Sequence, residues 1–375
     1  MASKYTSFID YLSYRASMRN IPLSGTFELT ARCNLDCKMC YIHKRANDPV
    51  VIKSELSTAE WLETARKAQK AGMFLLLVTG GEPLIRGDFF ELYDEFKSLG
   101  LSVAVNTNGT LITERIVRRF ADNFPARLNI TLYGASEETY ERLTGDASAY
   151  KRVYNALHML KEAGIPVKLN YSLTPQNKCD FDKICDFAEQ NMMPLQPATY
   201  MFPPVRACEL CEYAAVRVSA EEAAEYAFRF DKRRFDEEAL KNRCKSILDG
   251  NPIQENTECM ELPTERIRCR AGLTTFWITY KGEMRPCGMM QAPSVSVREL
   301  GFDEAWRQIH EMREKIMMPS ACTECSMRNA CEVCPATCYA ENGEFTAVPK
   351  YNCEKTAAYL RLMMEYLEKQ NESEN

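Results

Sequence analysis

Between residues 24 and about 205, short apolar runs alternate with amphipathic stretches six times, and this period constrains the fold more than any other feature. Strands are predicted at 26–31, 74–80, 102–108, 128–134, 167–173 and 195–202. Helices are predicted at 58–71, 88–99, 113–121, 136–143 with 149–163, and 178–191. Ser57 with Glu60 three residues on has the form of a capping box, and Gly72, Gly100 and Gly164 sit where helices end. Repeated βα units imply a parallel sheet with helices outside it. Eight such units close a barrel; six predict an open one, an α/β partial (β/α)6 TIM-like barrel.

At 375 residues the chain has room for more than one unit. Residues 1–23 form an N-terminal segment and 24–205 the core. Residues 206–265 are charged and predicted helical, notably over 219–241, and read as a helical bridge. Residues 266–355 are rich in cysteine and predict a small α+β domain. It contains a hairpin over 276–287 that turns at Lys281-Gly282, then a helix at about 302–317. Residues 356–375 form the end of a C-terminal helix, from about 354 to 369, and a tail.

The net charge of −5, with no Lys/Arg-rich block, gives no sign of nucleic-acid binding. The longest apolar runs, such as 73–78, fall far short of the roughly 20 residues of a membrane helix. No signal-peptide pattern opens the chain, so a cytoplasmic location is expected. Against that background seventeen cysteines stand out. A reducing compartment and an odd count argue against a disulfide framework. With only three histidines, mixed Cys/His zinc sites have little to draw on, and all-thiolate metal clusters fit best.

Cys33, Cys37 and Cys40 follow the first strand with spacing C-x3-C-x2-C. Three thiolates hold three corners of a four-iron cube and leave the fourth to a non-protein ligand. Four would seal an electron-transfer cluster, and paired cysteines would suit zinc. On their own, three close cysteines also fit an incomplete zinc knuckle. The second strand ends in Thr79-Gly80-Gly81-Glu82-Pro83, and the third and fourth end in 106–110 and 131–145. Together and in this order, these segments resemble the radical S-adenosylmethionine (SAM) superfamily. The resemblance implies a [4Fe-4S] cluster on Cys33, Cys37 and Cys40 with SAM bound at its open iron. It places the methionine amino group against Gly80, Gly81 and Glu82. Asn108, Thr131 and Tyr133 are implied as ribose or carboxylate contacts. The family usually has an aromatic residue before its third cysteine; here Met39 stands there, with Tyr41 just after.

Farther on, Cys269, Gly282-x4-Cys287, Cys322-x2-Cys325-x5-Cys331 and Cys353 resemble the SPASM extension of the same superfamily. The resemblance implies two auxiliary [4Fe-4S] clusters. One would take Cys269, Cys287 and a thiolate from 331–338, either Cys334 or Cys338, with Cys259 a candidate for its fourth ligand. The other would take Cys322, Cys325, Cys331 and Cys353. A zinc ribbon is the competing reading of these pairs. Cys208 and Cys211 form a further C-x2-C, read as ordinary thiols or a redox pair, and Cys179, Cys185 and Cys244 read as small apolar residues. The chemistry implied is one-electron cleavage of the SAM C5′–S bond, giving methionine and a 5′-deoxyadenosyl radical that takes a hydrogen atom from the substrate. Relatives with this extension mostly modify peptides by crosslinking or oxidation, so a peptide substrate is expected, with an electron donor such as flavodoxin or ferredoxin. Radical modification of a small molecule, a tetrapyrrole side chain or a carbohydrate, is the alternative enzyme reading. A non-catalytic iron–sulfur electron carrier is the alternative of another class.

Overall fold

The computed structural model describes residues 8–42, 44–203, 216–251, 266–267 and 269–373. Eleven strands are assigned among them: β1 (Ser24–Glu28), β2 (Arg32–Cys33), β3 (Lys44–Arg45), β4 (Leu75–Thr79), β5 (Ser102–Thr107), β6 (Arg127–Leu132), β7 (Val167–Ser172), β8 (Leu195–Ala198), β9 (Thr275–Ile278), β10 (Glu283–Arg285) and β11 (Val295–Ser296). The six predicted strands are β1, β4, β5, β6, β7 and β8. They lie side by side in chain order, all parallel, in a sheet that does not close.

Parallel strands covered on both faces usually read as continuous apolar runs. Here burial alternates strictly in β5 and β7. Val103 and Val105, Leu128 and Ile130, and Leu169 and Tyr171 are buried among the residues of the main core, with Phe96, Phe120, Leu157 and Ile184 of the surrounding helices. Asn106, Asn129, Lys168, Asn170 and Gln196 line a cavity on the sheet's concave side. The alternation arises because that side surrounds open space instead of packed side chains.

Pro197 sits in β8, whose outer edge carries no neighbouring strand among the described residues, so its missing N–H costs no ladder bond there. The Ser57–Glu60 capping box is present and starts the helix Thr58–Lys70.

The structure departs from expectation at several points. The hairpin forms from β9 and β10, with Gly282 at φ 83° in its turn. It is part of the main sheet, because β9 pairs in parallel with β1 on the edge away from β4. Phe276 thereby joins Phe27, Trp61, Phe302 and Trp306 in one aromatic group.

The stretch predicted helical over 219–241 forms two helices, Ala220–Arg234 and Glu237–Leu248. The break falls at Asp236, whose side chain accepts from Ala239 N–H and caps the second. Both pack with the final helix, Lys350–Ser373, around Phe228, Leu240, Ile247, Tyr359 and Met363. That helix starts four residues earlier than predicted, and Cys353 lies in its first turn. A helix at Phe8–Ser17 was not expected from the sequence. Cys185 and Cys244 are buried as small apolar residues, whereas Cys179 is exposed. Cys208, Cys211 and Cys259 lie outside the described residues. No helix among the described residues is long and apolar enough to cross a membrane.

Candidate functional site

A cavity of about 1430 Å³ runs along the inner face of the sheet, from the amino ends of the strands to their carboxyl ends, where the cysteine loop lies. Cys33, Cys37 and Cys40 line it, together with Met39, Tyr41, Gly80, Gly81, Asn108, Thr131 and Tyr133. Placement at this edge is what a parallel α/β sheet favours for a ligand. Of the residues singled out for cofactor binding in the core, Glu82 alone is absent from the lining.

The two glycines are required by close backbone approach. A Cβ on Gly80 would lie 2.4 Å from Thr30 O, and one on Gly81 2.4 Å from Arg32 O. The space is filled by the backbone that leads into the cysteine loop. Gly81 N–H donates to Thr30 O at 2.8 Å and Glu82 N–H to Arg32 O at 2.9 Å. The turn after β4 therefore supports the loop that carries the thiols.

Glu82 is fully buried behind the cavity lining. Its carboxylate accepts from Leu84 N–H at 3.1 Å, Asn108 N–H at 2.7 Å and the Thr107 hydroxyl at 2.9 Å. Burial pushes its pKa up to about 7 against these donors. An acid raised from 4.5 to about 7 on folding binds more protons when folded, so its contribution to stability is present below pH 4.5 and is lost as pH rises through about 7. The expected loss in the metal-free chain is about 3 kcal/mol. Unfolding of wild type and Glu82→Gln compared at pH 5 and pH 8 would test this. The wild type should lose stability relative to the variant as pH rises, and parallel behaviour would count against it.

A second set of charges, which sequence reading missed, holds the cysteine loop from outside. Glu55 is bonded to Arg32 Nε at 2.8 Å and to Arg86 Nη1 at 3.2 Å. Arg86 is also paired with Asp88 at 2.6 Å and donates to Leu29 O and Leu56 O. These side chains are nearly buried, yet in a sequence they look like any surface charge.

The thiols fit a metal cluster by their chemistry. Burial drives Cys33 up to about 11, and burial with the neighbouring Cys40 and Cys33 drives Cys37 well up. Thiols crowded and buried in this way ionise only if a cation compensates, and iron in a cluster would do so. Among the described residues no three Cys, His, Asp or Glu side chains converge as the ligands of one metal ion do. Corners of a cube hold thiolates farther apart.

In the C-terminal region Cys322, Cys325, Cys331 and Cys353 lie within electrostatic reach of one another. Cys334 packs in the same small apolar group as Cys287, with Met289 and Phe202. Cys338 is fully buried and packs against Cys322 and Cys331; burial first and then Cys322 push it up to about 12. Cys269 is exposed.

The sequence profile of the radical SAM superfamily matches residues 27–188. The chain carries a radical SAM domain. The chain is similar, at 26% identity over 89% of its length and 97% of the relative's, to an AdoMet-dependent heme synthase of Methanosarcina barkeri. It is 32% identical over 44% of its length and 44% of the relative's to a PqqA peptide cyclase of Rhizobium meliloti. In structure it resembles anSMEcpe with bound AdoMet, at TM-score 0.67 and 15% identity, over 94% of this chain and 96% of that one. That last likeness concerns the fold, including the cysteine-rich region that follows the radical SAM domain. The protein is an enzyme with a radical SAM domain over residues 27–188, and the chemistry of that domain family implies a four-iron cluster with SAM.

Proposed function

We propose that Cys33, Cys37 and Cys40 hold the cluster at which SAM is cleaved, and that the substrate gives up a hydrogen atom within the adjoining cavity. Bound there and reduced by one electron, from a donor such as flavodoxin or ferredoxin, the cluster would supply C5′–S cleavage and the 5′-deoxyadenosyl radical. What supports this is that the three thiols open onto one large cavity that the protein itself leaves unfilled. Met39, Tyr41, Gly80, Gly81 and Thr131 would wall in the cofactor. We assign Cys322, Cys325, Cys331 and Cys353 to one auxiliary cluster. The other takes Cys269, Cys287 and Cys334; Cys334 is chosen over Cys338 because it packs with Cys287.

The substrate we propose is a peptide. Asn106, Asn129, Asn170 and Gln196 line the cavity as side-chain amides. Asn129 is 5% exposed, and its Nδ2 donates to Asn106 Oδ1 at 2.7 Å. Its Oδ1 has no partner among the described residues. An unmet buried acceptor costs about 1–3 kcal/mol, which a ligand N–H would recover. Peptide groups carry such donors, whereas the face of a tetrapyrrole has none to offer.

A tetrapyrrole is the second reading, and a specific observation favours it. The likeness to heme synthases runs through almost the whole chain, while the likeness to peptide cyclases covers less than half. Anaerobically reconstituted protein, given dithionite and SAM, should release 5′-deoxyadenosine even without substrate. Incubation with candidate peptides and, separately, with iron-coproporphyrin III, followed by mass spectrometry, decides between the substrates. A mass change confined to the porphyrin would overturn the peptide reading, and no SAM cleavage at all would overturn both.

A further inference from the structure

Asn108 and Tyr133 follow neighbouring strands, and the family resemblance casts them as contacts to the ribose or carboxylate of SAM. Their side chains are turned to the thiols. Asn108 Nδ2 lies 3.6 Å from Cys33 Sγ and 3.1 Å from Asn34 Oδ1. This orientation is fixed by a ring of bonds. Thr110 N–H, which can only donate, meets Asn108 Oδ1 at 2.9 Å, and the Thr110 hydroxyl donates to the same oxygen at 2.6 Å. Asn34 Nδ2 donates in turn to the Thr110 hydroxyl at 2.8 Å and closes the ring. A flip of the Asn108 amide would set N–H against N–H, so the nitrogen must face Cys33. Asn108 is 4% exposed and Thr110 5%, so water has little access to compete.

On the next strand, Tyr133 lines the same cavity as the three thiols, with its hydroxyl on the side of Cys37. Its ring is held edge-on against Tyr140, at 5.8 Å between centroids. Asn177 anchors the Tyr133 carbonyl at 3.0 Å. Each donor is thus supported by a shell of its own.

We propose that Asn108 and Tyr133 are positioning residues that donate hydrogen bonds to the Cys33 and Cys37 sulfurs and raise the reduction potential of the cluster those thiolates hold. The inference rests on the proposed assignment of that cluster. Adding an electron increases negative charge on the sulfurs, and a donor aimed at a sulfur stabilises the reduced state more than the oxidised one. Their aim toward sulfur separates this role from contact with SAM, which would leave the potential of the SAM-free cluster untouched.

The test is a redox titration of reconstituted wild type, Asn108→Ala and Tyr133→Phe, without SAM, read by low-temperature EPR. Iron content is measured in parallel. At a fixed poise each variant should show a reduced-to-oxidised ratio about tenfold lower, equivalent to about 59 mV for one electron. Tyr133→Phe keeps the ring and its packing, so it remains informative if Asn108→Ala fails to fold. An unchanged midpoint in Tyr133→Phe with normal iron content overturns the proposal, as does a change in SAM affinity without a change in midpoint. Failure of the wild type to take up iron, or loss of none when Cys33, Cys37 and Cys40 are removed, overturns the underlying assignment instead.

Discussion

Replacing Cys33, Cys37 and Cys40 together by alanine is expected to abolish SAM cleavage while leaving a folded protein. Reconstituted wild type should hold about twelve irons, and the triple variant about eight, on the count of four per cluster. The fold should survive because the metal-free loop is held by contacts that do not involve sulfur. Gly81 and Glu82 pair with its backbone at Thr30 and Arg32. Asp36 N–H and Lys38 N–H donate to Thr144 O and Leu143 O, at 3.0 Å each. Iron analysis and chromatography of 5′-deoxyadenosine check the two numbers independently. Retention of cleavage in the variant would move the reactive cluster elsewhere. Loss of all the iron would show that the auxiliary thiols do not hold clusters of their own.

Glu55→Ala is expected to destabilise the chain by about 3–5 kcal/mol. Its carboxylate is the acceptor shared by Arg32 and Arg86, and the three side chains are 7%, 13% and 6% exposed. Removal leaves two guanidinium groups facing each other in a site with little water. Arg86 retains Asp88, but among the described residues Arg32 keeps only Ala46 O at 3.1 Å. Arg32 precedes the first cysteine, so the damage should reach the cluster loop, and iron uptake should fall along with the denaturation midpoint. Glu55→Gln, which keeps the shape and one acceptor, should lose less. A chemical denaturation series on the three proteins tests this, and a change under 1 kcal/mol for Glu55→Ala would mean that solvent replaces the carboxylate.

These two cases mark what the sequence made readable and what it did not. The six strands were visible because an apolar outer face and a polar inner face leave a two-residue period in β5 and β7, and because amphipathic helices with recognisable caps lie between them. The three cysteines were visible because they are neighbours in the chain. Glu82 was visible as a motif residue, but its protein partners were not: the two backbone N–H groups and the hydroxyl that meet its carboxylate come together only where β4 and β5 end side by side. Glu55 and Arg86 carried no signal, because a charge becomes a buried tether only once two separate turns bring it under a loop. The ring of Asn34, Asn108 and Thr110 was hidden for the same reason, since it joins the ends of two elements far apart in the chain. The hairpin at 281–282 was legible from its turn; the pairing of β9 with β1 was not, because hairpin chemistry specifies only the local partner.

That last pairing has a practical consequence. The first strand of the chain is flanked on one side by β4 and on the other by a strand contributed from beyond residue 270. Cutting the polypeptide after the catalytic half would strip this flank and leave a row of amides and carbonyls seeking a substitute, a recipe for sticky, misassembled material. Swapping the cysteine-rich portion between relatives as a detachable cassette should fail for the same reason, unless the graft brings a strand that fits the same groove.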